Sequence, residues 1–266
     1  MIGQSELPLD GIRILVTRPA KQTGPLCSLI EKSGGVAMRL PTIDLQAPDD
    51  PGQVEQICKR LTEFQIAIFV SRNAVDWAFD LFIDKADIPA GLAIMAIGTG
   101  TAEQLKQRGI SNVCFAKGSA NSEAFLELSG FQADVVKDKQ IIIFRGQGGR
   151  EVLADGLRKR GAQVRYAEVY RRVQPRHDED IIHKLWIDTP PDVIVVTSNE
   201  GLQNLFNMTA VDDHKQLLRT PLVSIGKRMS GLADQLGFSR LPVVARETSD
   251  QGLLESVIDT VGEMNQ

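Results

Sequence analysis

The stretch KQIIIFRGQGGREVLADGLRKRG, residues 139–161, carries a whole structural unit in one line. An apolar run ends at Phe144, a basic glycine-rich turn follows, and an amphipathic segment from Val152 runs to Gly161. Consecutive apolar residues, rather than alternating ones, mark a strand buried on both faces, as in a parallel sheet covered by helices. A turn placed between such a strand and a helix N-terminus is suited to receiving an anion.

The unit occurs twice. IRILVTR (12–18) matches KQIIIFR (139–145), which places Arg18 and Arg145 127 positions apart. Gly34 and Gly161, Ser71 and Ser198, and Ser122 and Ser249 keep that same offset of 127. AIMAIGTGTAEQLKQRG (93–109) matches PLVSIGKRMSGLADQLG (221–237) at an offset of 128. A common α/β plan would explain similar pieces but not their constant spacing, so the chain reads as a duplication. The period exceeds the roughly 20–50 residues of solenoid repeats and is that of a domain.

Each copy alternates short Val/Ile-rich runs with helical patterns. Strands are expected near 12–17, 38–45, 66–70, 93–97 and 113–116, and again near 140–144, 164–173, 193–196, 222–225 and 242–245. Strand–helix alternation predicts an α/β fold with parallel sheets covered by helices. VAMRLPTIDLQAP (36–48) and VRYAEVYRRVQP (164–175) are too long and too polar for buried parallel strands, and both end at proline. They read as connectors between two lobes.

The chain has 266 residues, 42% of them hydrophobic, enough for one large or two ordinary domains. A net charge of −4 does not suggest nucleic acid as a partner. Three scattered cysteines without C-x-x-C spacing suggest free thiols in a reducing compartment. There is no signal-peptide pattern and no apolar run near the ~20 residues of a membrane span, so a cytoplasmic protein is expected.

The turn at 145–151 is not a nucleotide fingerprint. G-x-G-x-x-G from Gly146 would need glycine where Glu151 stands, and no G-x-x-x-x-G-K-[ST] occurs. What survives is a helix start flanked by Arg145 and Arg150, with Gly146 and Gly148 between them, suited to a phosphate or carboxylate. Arg18 occupies the matching place in the first copy. Comparable groups follow other strands: Ser71-Arg72-Asn73, Thr99 and Thr101 in GTGT, Ser198-Asn199, and Gly226-Lys227-Arg228; Ser119 to Ser122 precede a later helix. Each alone reads first as an N-cap. Together they line the carboxyl edges of parallel sheets, where ligands of open α/β folds bind. His177, His183 and His214 form no metal-binding spacing, and there is no G-x-S-x-G elbow. Tyr166 and Tyr170 share one face of the second connector by their even spacing. Either they pack there, or a phenol projects into an open site.

LVTRPAKQ, AIGTGTAEQL, FRGQGGREVLADGLRKRGAQV, AEVYRRVQP, VVTSNEGLQNL and SIGKRM, in that order, resemble the uroporphyrinogen-III synthase family from about residue 11 to about 257. The resemblance implies two similar lobes joined by a two-stranded ladder, with the site in the cleft between them. It places residues 1–37 plus 172–266 in one lobe, 44–163 in the other, and 38–43 and 164–171 in the connectors. It implies a hydro-lyase that takes hydroxymethylbilane, a linear tetrapyrrole with acetate and propionate on every ring. The reaction expels the terminal hydroxyl as water, closes the macrocycle and inverts the last ring through a spiro intermediate. No cofactor, no metal and a monomer are implied. Arg18, Ser71, Arg72, Asn73, Thr99, Thr101, Ser122, Arg145, Gly146, Gly148, Arg150, Ser198, Asn199, Lys227 and Arg228 become candidate substrate contacts. Tyr170 matches the family's linker tyrosine and is assigned the proton for the departing hydroxyl, a role worth roughly 10–10²-fold in rate. Lys227-Arg228 departs from the family's hydroxyl at that turn, so ion pairing replaces hydroxyl donation there. A non-catalytic binder of an anionic small molecule and a nucleotide-dependent transferase are the rival readings.

Overall fold

The computed structural model describes residues 7–115 and 122–264, with backbone alone at Ser122 and Ser129. The chain opens with β1 (Arg13–Val16), α1 (Gly24–Lys32) and β2 (Val36–Arg39). A middle block follows: β3 (Asp44–Gln46), α2 (Pro51–Cys58), β4 (Ile66–Phe69), α3 (Arg72–Leu81), β5 (Ala93–Ala96), α4 (Thr99–Gln107), β6 (Val113–Phe115), α5 (Ser122–Leu126), α6 (Ala133–Val136), β7 (Gln140–Gly146), α7 (Val152–Lys159) and β8 (Gln163–Val173). The last block holds α8 (Glu179–Ile187), β9 (Val193–Val196), α9 (Asn199–Met208), α10 (His214–Leu217), β10 (Leu222–Ser224), α11 (Arg228–Leu236), β11 (Val243–Val244) and α12 (Asp250–Met264).

Two compact units result. One joins residues 1–44 to 173–266, and the other comprises 45–172. Among the described residues the first carries a sheet in the order β11-β10-β9-β1-β2, and the second a sheet in the order β3-β8-β7-β4-β5-β6. The repeats explain the likeness. β1 corresponds to β7, β2 to β8, β4 to β9, β5 to β10 and β6 to β11, so both sheets run through equivalent strands in the same order. The first sheet takes β1 and β2 from the first copy and β9, β10 and β11 from the second; the second sheet takes β7 and β8 from the second copy and β3, β4, β5 and β6 from the first.

The continuous apolar runs are buried on both faces, as expected. In β4, Ala67 and Phe69 enter one core with Ile142 and Phe144 of β7, while Ile66 and Ile68 enter the opposite core with Ile141 and Ile143. β1 divides likewise, Ile14 and Val16 on one face and Leu15 on the other. Each fully buried aliphatic side chain contributes about 1.5–3 kcal/mol relative to exposure. The helices supply one apolar stripe each, for example Leu153, Ala154 and Leu157 of α7. Gly34 and Gly161 close α1 and α7 at φ of +91° and +88°, left-handed backbone that disfavours a side chain, which explains why the repeat keeps glycine there.

The connector segments differ from expectation. Val36–Arg39 is an edge strand paired in parallel with β1. Residues 164–171 lie inside β8, paired in parallel with β7 from Gln163 onward, with a bulge between Arg145 and Gly146. β8 lies second from the edge of its sheet, and its first four side chains are exposed or half-buried. β3 flanks it, and Arg171 ties the two by bonds to Gln46 Oε1 (3.0 Å) and the Ala47 carbonyl (3.3 Å). The chain therefore changes unit at Asp44/Leu45 and at Arg172/Val173.

Asp213 is buried, and its carboxylate meets Nδ1 of the half-exposed His183 on α8 at 2.9 Å. This hydrogen bond and the charge of Asp213 raise the His183 pKa above its usual 6.5. A folded-state pKa above the unfolded one gives stability that is complete below pH ~6.5 and fades as pH rises through the folded value. His183→Gln is therefore expected to lower the melting temperature most at pH 6 and least at pH 9. Thermal scans across that range check it, and a gap that widens with pH contradicts it.

Candidate functional site

In the second unit β7, β4 and β5 are neighbours and parallel, so their carboxyl ends and the helices that follow open on one edge. Strands in a sheet lie about 4.8 Å apart, so the three helix starts line one edge of this sheet. Ser71 is the N-cap of α3, and the Ala74 N–H donates to its Oγ at 3.1 Å. Arg72 is exposed and has no partner among the described residues; Asn73 is half-buried and has one. The N-cap of α4 is Gly98, which offers no side-chain acceptor, and the Thr99 and Gly100 N–H groups have no acceptor among the described residues. Arg72 lies over that first turn: a Cβ added to Gly100 would sit 3.7 Å from its Cδ. Thr99 is exposed, whereas Thr101 is only 7% exposed. Arg108 fixes α4 against α3 through Asp76 and Asp80, both at 2.6 Å.

The turn after β7 is arranged differently from the sequence expectation. The Arg145 side chain is 5% exposed and turned inward, where it donates to protein acceptors and stacks over the Tyr166 ring at 4.3 Å. Its charge is satisfied within the fold, and it is not a free anion receptor. Glu151 accepts from Arg145 at 2.9 Å and from the Tyr166 hydroxyl at 2.5 Å. The Tyr166 hydrogen bond, followed by Arg145, holds the Glu151 carboxyl below the usual range. Burial and then the carboxylate push the Tyr166 phenol up to about 12, so it keeps its proton at neutral pH. Arg150 is exposed and pairs with Glu123 at 2.5 Å, a surface contact worth at most about 1 kcal/mol. Gly148 is exposed at φ +70°.

Tyr170 also departs from expectation. Its ring is 1% exposed and belongs to the core formed with Phe144 and Val169. A Cβ on Gly146 would approach two of its ring carbons to 2.6 Å, so the glycine makes room for the ring. Arg172 donates to the phenol oxygen at 3.3 Å. A phenol projecting from this strand into open space is not what the fold contains. The even spacing of Tyr166 and Tyr170 is broken by the bulge at Arg145/Gly146, which opposes Gly146 to Tyr170.

The first unit presents the equivalent edge at β1, β9 and β10. Arg18 pairs with Asp250 at the start of α12. Ser198 repeats the Ser71 cap, accepting from the Gly201 N–H at 3.0 Å, and Asn199 is exposed beside it. Lys227 and Arg228 are exposed, have no ion-pair partner among the described residues, and open α11, which has no side-chain cap. The Ser122 side chain and residues 119–121 lie outside the described residues. Sequence reading missed Glu151, whose place at the failing glycine of the fingerprint was its one available signal.

Both α/β units carry helix starts and exposed cations along the carboxyl edges of their parallel sheets. The sequence matches the profile described as Uroporphyrinogen-III synthase HemD over residues 25–255. It is 31% identical to a uroporphyrinogen-III synthase of Salmonella typhimurium over 239 residues, covering 89% of this chain and 96% of the relative. Against the Escherichia coli enzyme it is 29% identical over the same shares. The fold is similar to crystal structures of the synthase from Helicobacter pylori (TM-score 0.63, 14% identity, 94% and 99% coverage) and Thermus thermophilus (TM-score 0.59, 15% identity, 95% and 100% coverage). The chain belongs to the uroporphyrinogen-III synthase family, and it is a cyclising lyase of tetrapyrrole biosynthesis.

The geometry at Tyr170 generates two predictions. Gly146→Ala forces a Cβ into the Tyr170 ring and should cost about 1–3 kcal/mol, the range for overpacked sites, read from the urea midpoint. Tyr170→Phe keeps the packing and loses one long hydrogen bond, so turnover should stay within about threefold of wild type; a fall of roughly tenfold or more restores the proton-donor role.

Proposed function

We propose that this enzyme works by conformational control of hydroxymethylbilane, its carboxylates held by Arg72, Lys227 and Arg228 together with the free N–H groups that open α4, α7 and α11. The observation that carries this reading is the state of the three cations. Each stands at the carboxyl end of a central parallel strand, beside a helix start without a side-chain cap or directly against one, and each lacks a partner among the described residues. Arg18 and Arg145, equally suggestive in sequence, are engaged within the protein.

The chemistry suits such a grip. The substrate can lose its hydroxyl and close without help, but then without inverting the last ring. Selectivity therefore requires one ring-closure geometry to be favoured over another, which is positional and entropic work. A flexible polycarboxylate is best restrained at its many charges, by donors that need no shifted pKa. Backbone N–H groups at helix starts are fixed before the substrate arrives and so cost little reorganisation. The cation that develops as hydroxide leaves is offset by the substrate's own carboxylates. Thr99, Asn73 and Asn199 supply neutral contacts at the same turns. With Tyr170 buried, the departing hydroxyl takes its proton from solvent or substrate rather than from that phenol.

The test is an assay with hydroxymethylbilane that separates the I and III isomers. Arg72→Ala, Lys227→Ala and Arg228→Ala should each raise KM about tenfold, as expected for one charge-assisted bond, with a larger share of isomer I. A binding protein without catalysis would leave isomer I as the sole product with wild-type chain.

A further inference from the structure

Arg145 engages a set of acceptors that a free anion receptor would not. Its Nε donates to the carbonyl of Gly146 at 3.2 Å, Nη2 to that of Gly149 at 2.5 Å, and Nη1 to that of Arg150 at 3.4 Å and to Glu151 Oε1 at 2.9 Å. Glu168 lies 3.5 Å from Nε, and the Tyr166 ring covers one face. Three carbonyls of a single turn thus converge on one guanidinium, whose five donors in a rigid fork match that demand.

The consequence for the turn follows from peptide geometry. In a trans peptide the C=O of one residue and the N–H of the next point in opposite directions. With the Gly149 and Arg150 carbonyls turned toward Arg145, the N–H groups of Arg150 and Glu151 point away from it. Neither N–H has an acceptor among the described residues, and both residues are exposed. The Gln147 N–H, the third of the set, donates to the Tyr170 carbonyl at 2.8 Å and anchors the turn to β8. Two successive outward N–H groups make a concavity for a carboxylate.

We propose that Arg145 is a positioning residue: it withdraws the turn's carbonyls and so aims the Arg150 and Glu151 N–H groups at a substrate carboxylate, with Glu151 and Tyr166 holding the guanidinium in place. The inference rests on the reading that this edge meets the substrate. Lysine carries the charge but not the fork, so Arg145→Lys should leave the turn's carbonyls partly untied. Gly149→Ala perturbs the same contact from the other side, because the added Cβ would lie 3.1 Å from the guanidinium carbon and Nη2.

The experiment is steady-state kinetics with hydroxymethylbilane on wild type, Arg145→Lys and Gly149→Ala, with isomers I and III separated. Both variants should raise KM about tenfold while kcat stays within about threefold, the mark of lost uniform binding. A role in folding alone would reduce the active fraction, lowering apparent kcat at unchanged KM, and that result overturns the proposal. So does unchanged KM in Gly149→Ala, should Arg145→Lys fail to fold. If the wild-type chain yields no isomer III, the functional reading itself fails, and this inference with it; isomer III from wild type with unmoved KM in the variants sinks the inference alone.

Discussion

A strand with apolar side chains on both faces must find hydrogen-bond partners on both edges, and this requirement organises the protein. β1 and β9 are such strands, as are β7 and β4, with every residue of β4 and β9 buried. A buried N–H or C=O without a partner costs as much as a lost hydrogen bond, so an unpaired central strand is not an option. β1 meets the demand with β9, far along the chain, through the register Ile14↔Val193 to Val16↔Val195. β7 meets it with β4. Each unit therefore needs segments from both copies of the duplication, and the first closes only when the last third of the chain has been made.

The same pairing assembles the chemistry. Parallel strands end on one side, so joining three of them gathers three turns that are distant in sequence. Ser71 and Ser198 show how much of each turn is spent on holding it: both hydroxyls cap the helix they precede. Arg18 and Arg145, at matching positions, are likewise spent, one on Asp250 and the other on the carbonyls of its own turn. What remains for a ligand is the backbone N–H groups and a few cations with nothing else to do. This division is what the proposed mode of action, holding a flexible polyanion in one shape, draws on.

The tyrosines illustrate why residue type and spacing do not settle a role. Both phenols lie on one strand, and reading them by alternation gives them a common direction. The bulge between Arg145 and Gly146 changes what lies opposite them. Tyr166 caps Arg145 and binds Glu151, whereas Tyr170 fills the space that Gly146 leaves.

The sequence alone determined the duplication, the strand and helix types, the two-sided burial of the central strands and the family. All of these rest on local pattern: runs such as Ile141–Phe144, left-handed glycines at Gly34 and Gly161, and motifs in a fixed order. Composition and periodicity left open which copy's strands share a sheet, because β1 and β7 carry nearly the same residues; the family resemblance implied a crossover, and in the structure β1 pairs with β9 and β7 with β4. Only the tertiary structure decided which charged groups are free. An arginine at a strand end looks the same in sequence whether it faces solvent, as Arg72 does, or the carbonyls of its own turn, as Arg145 does, since the acceptors that claim it are brought to it by folding.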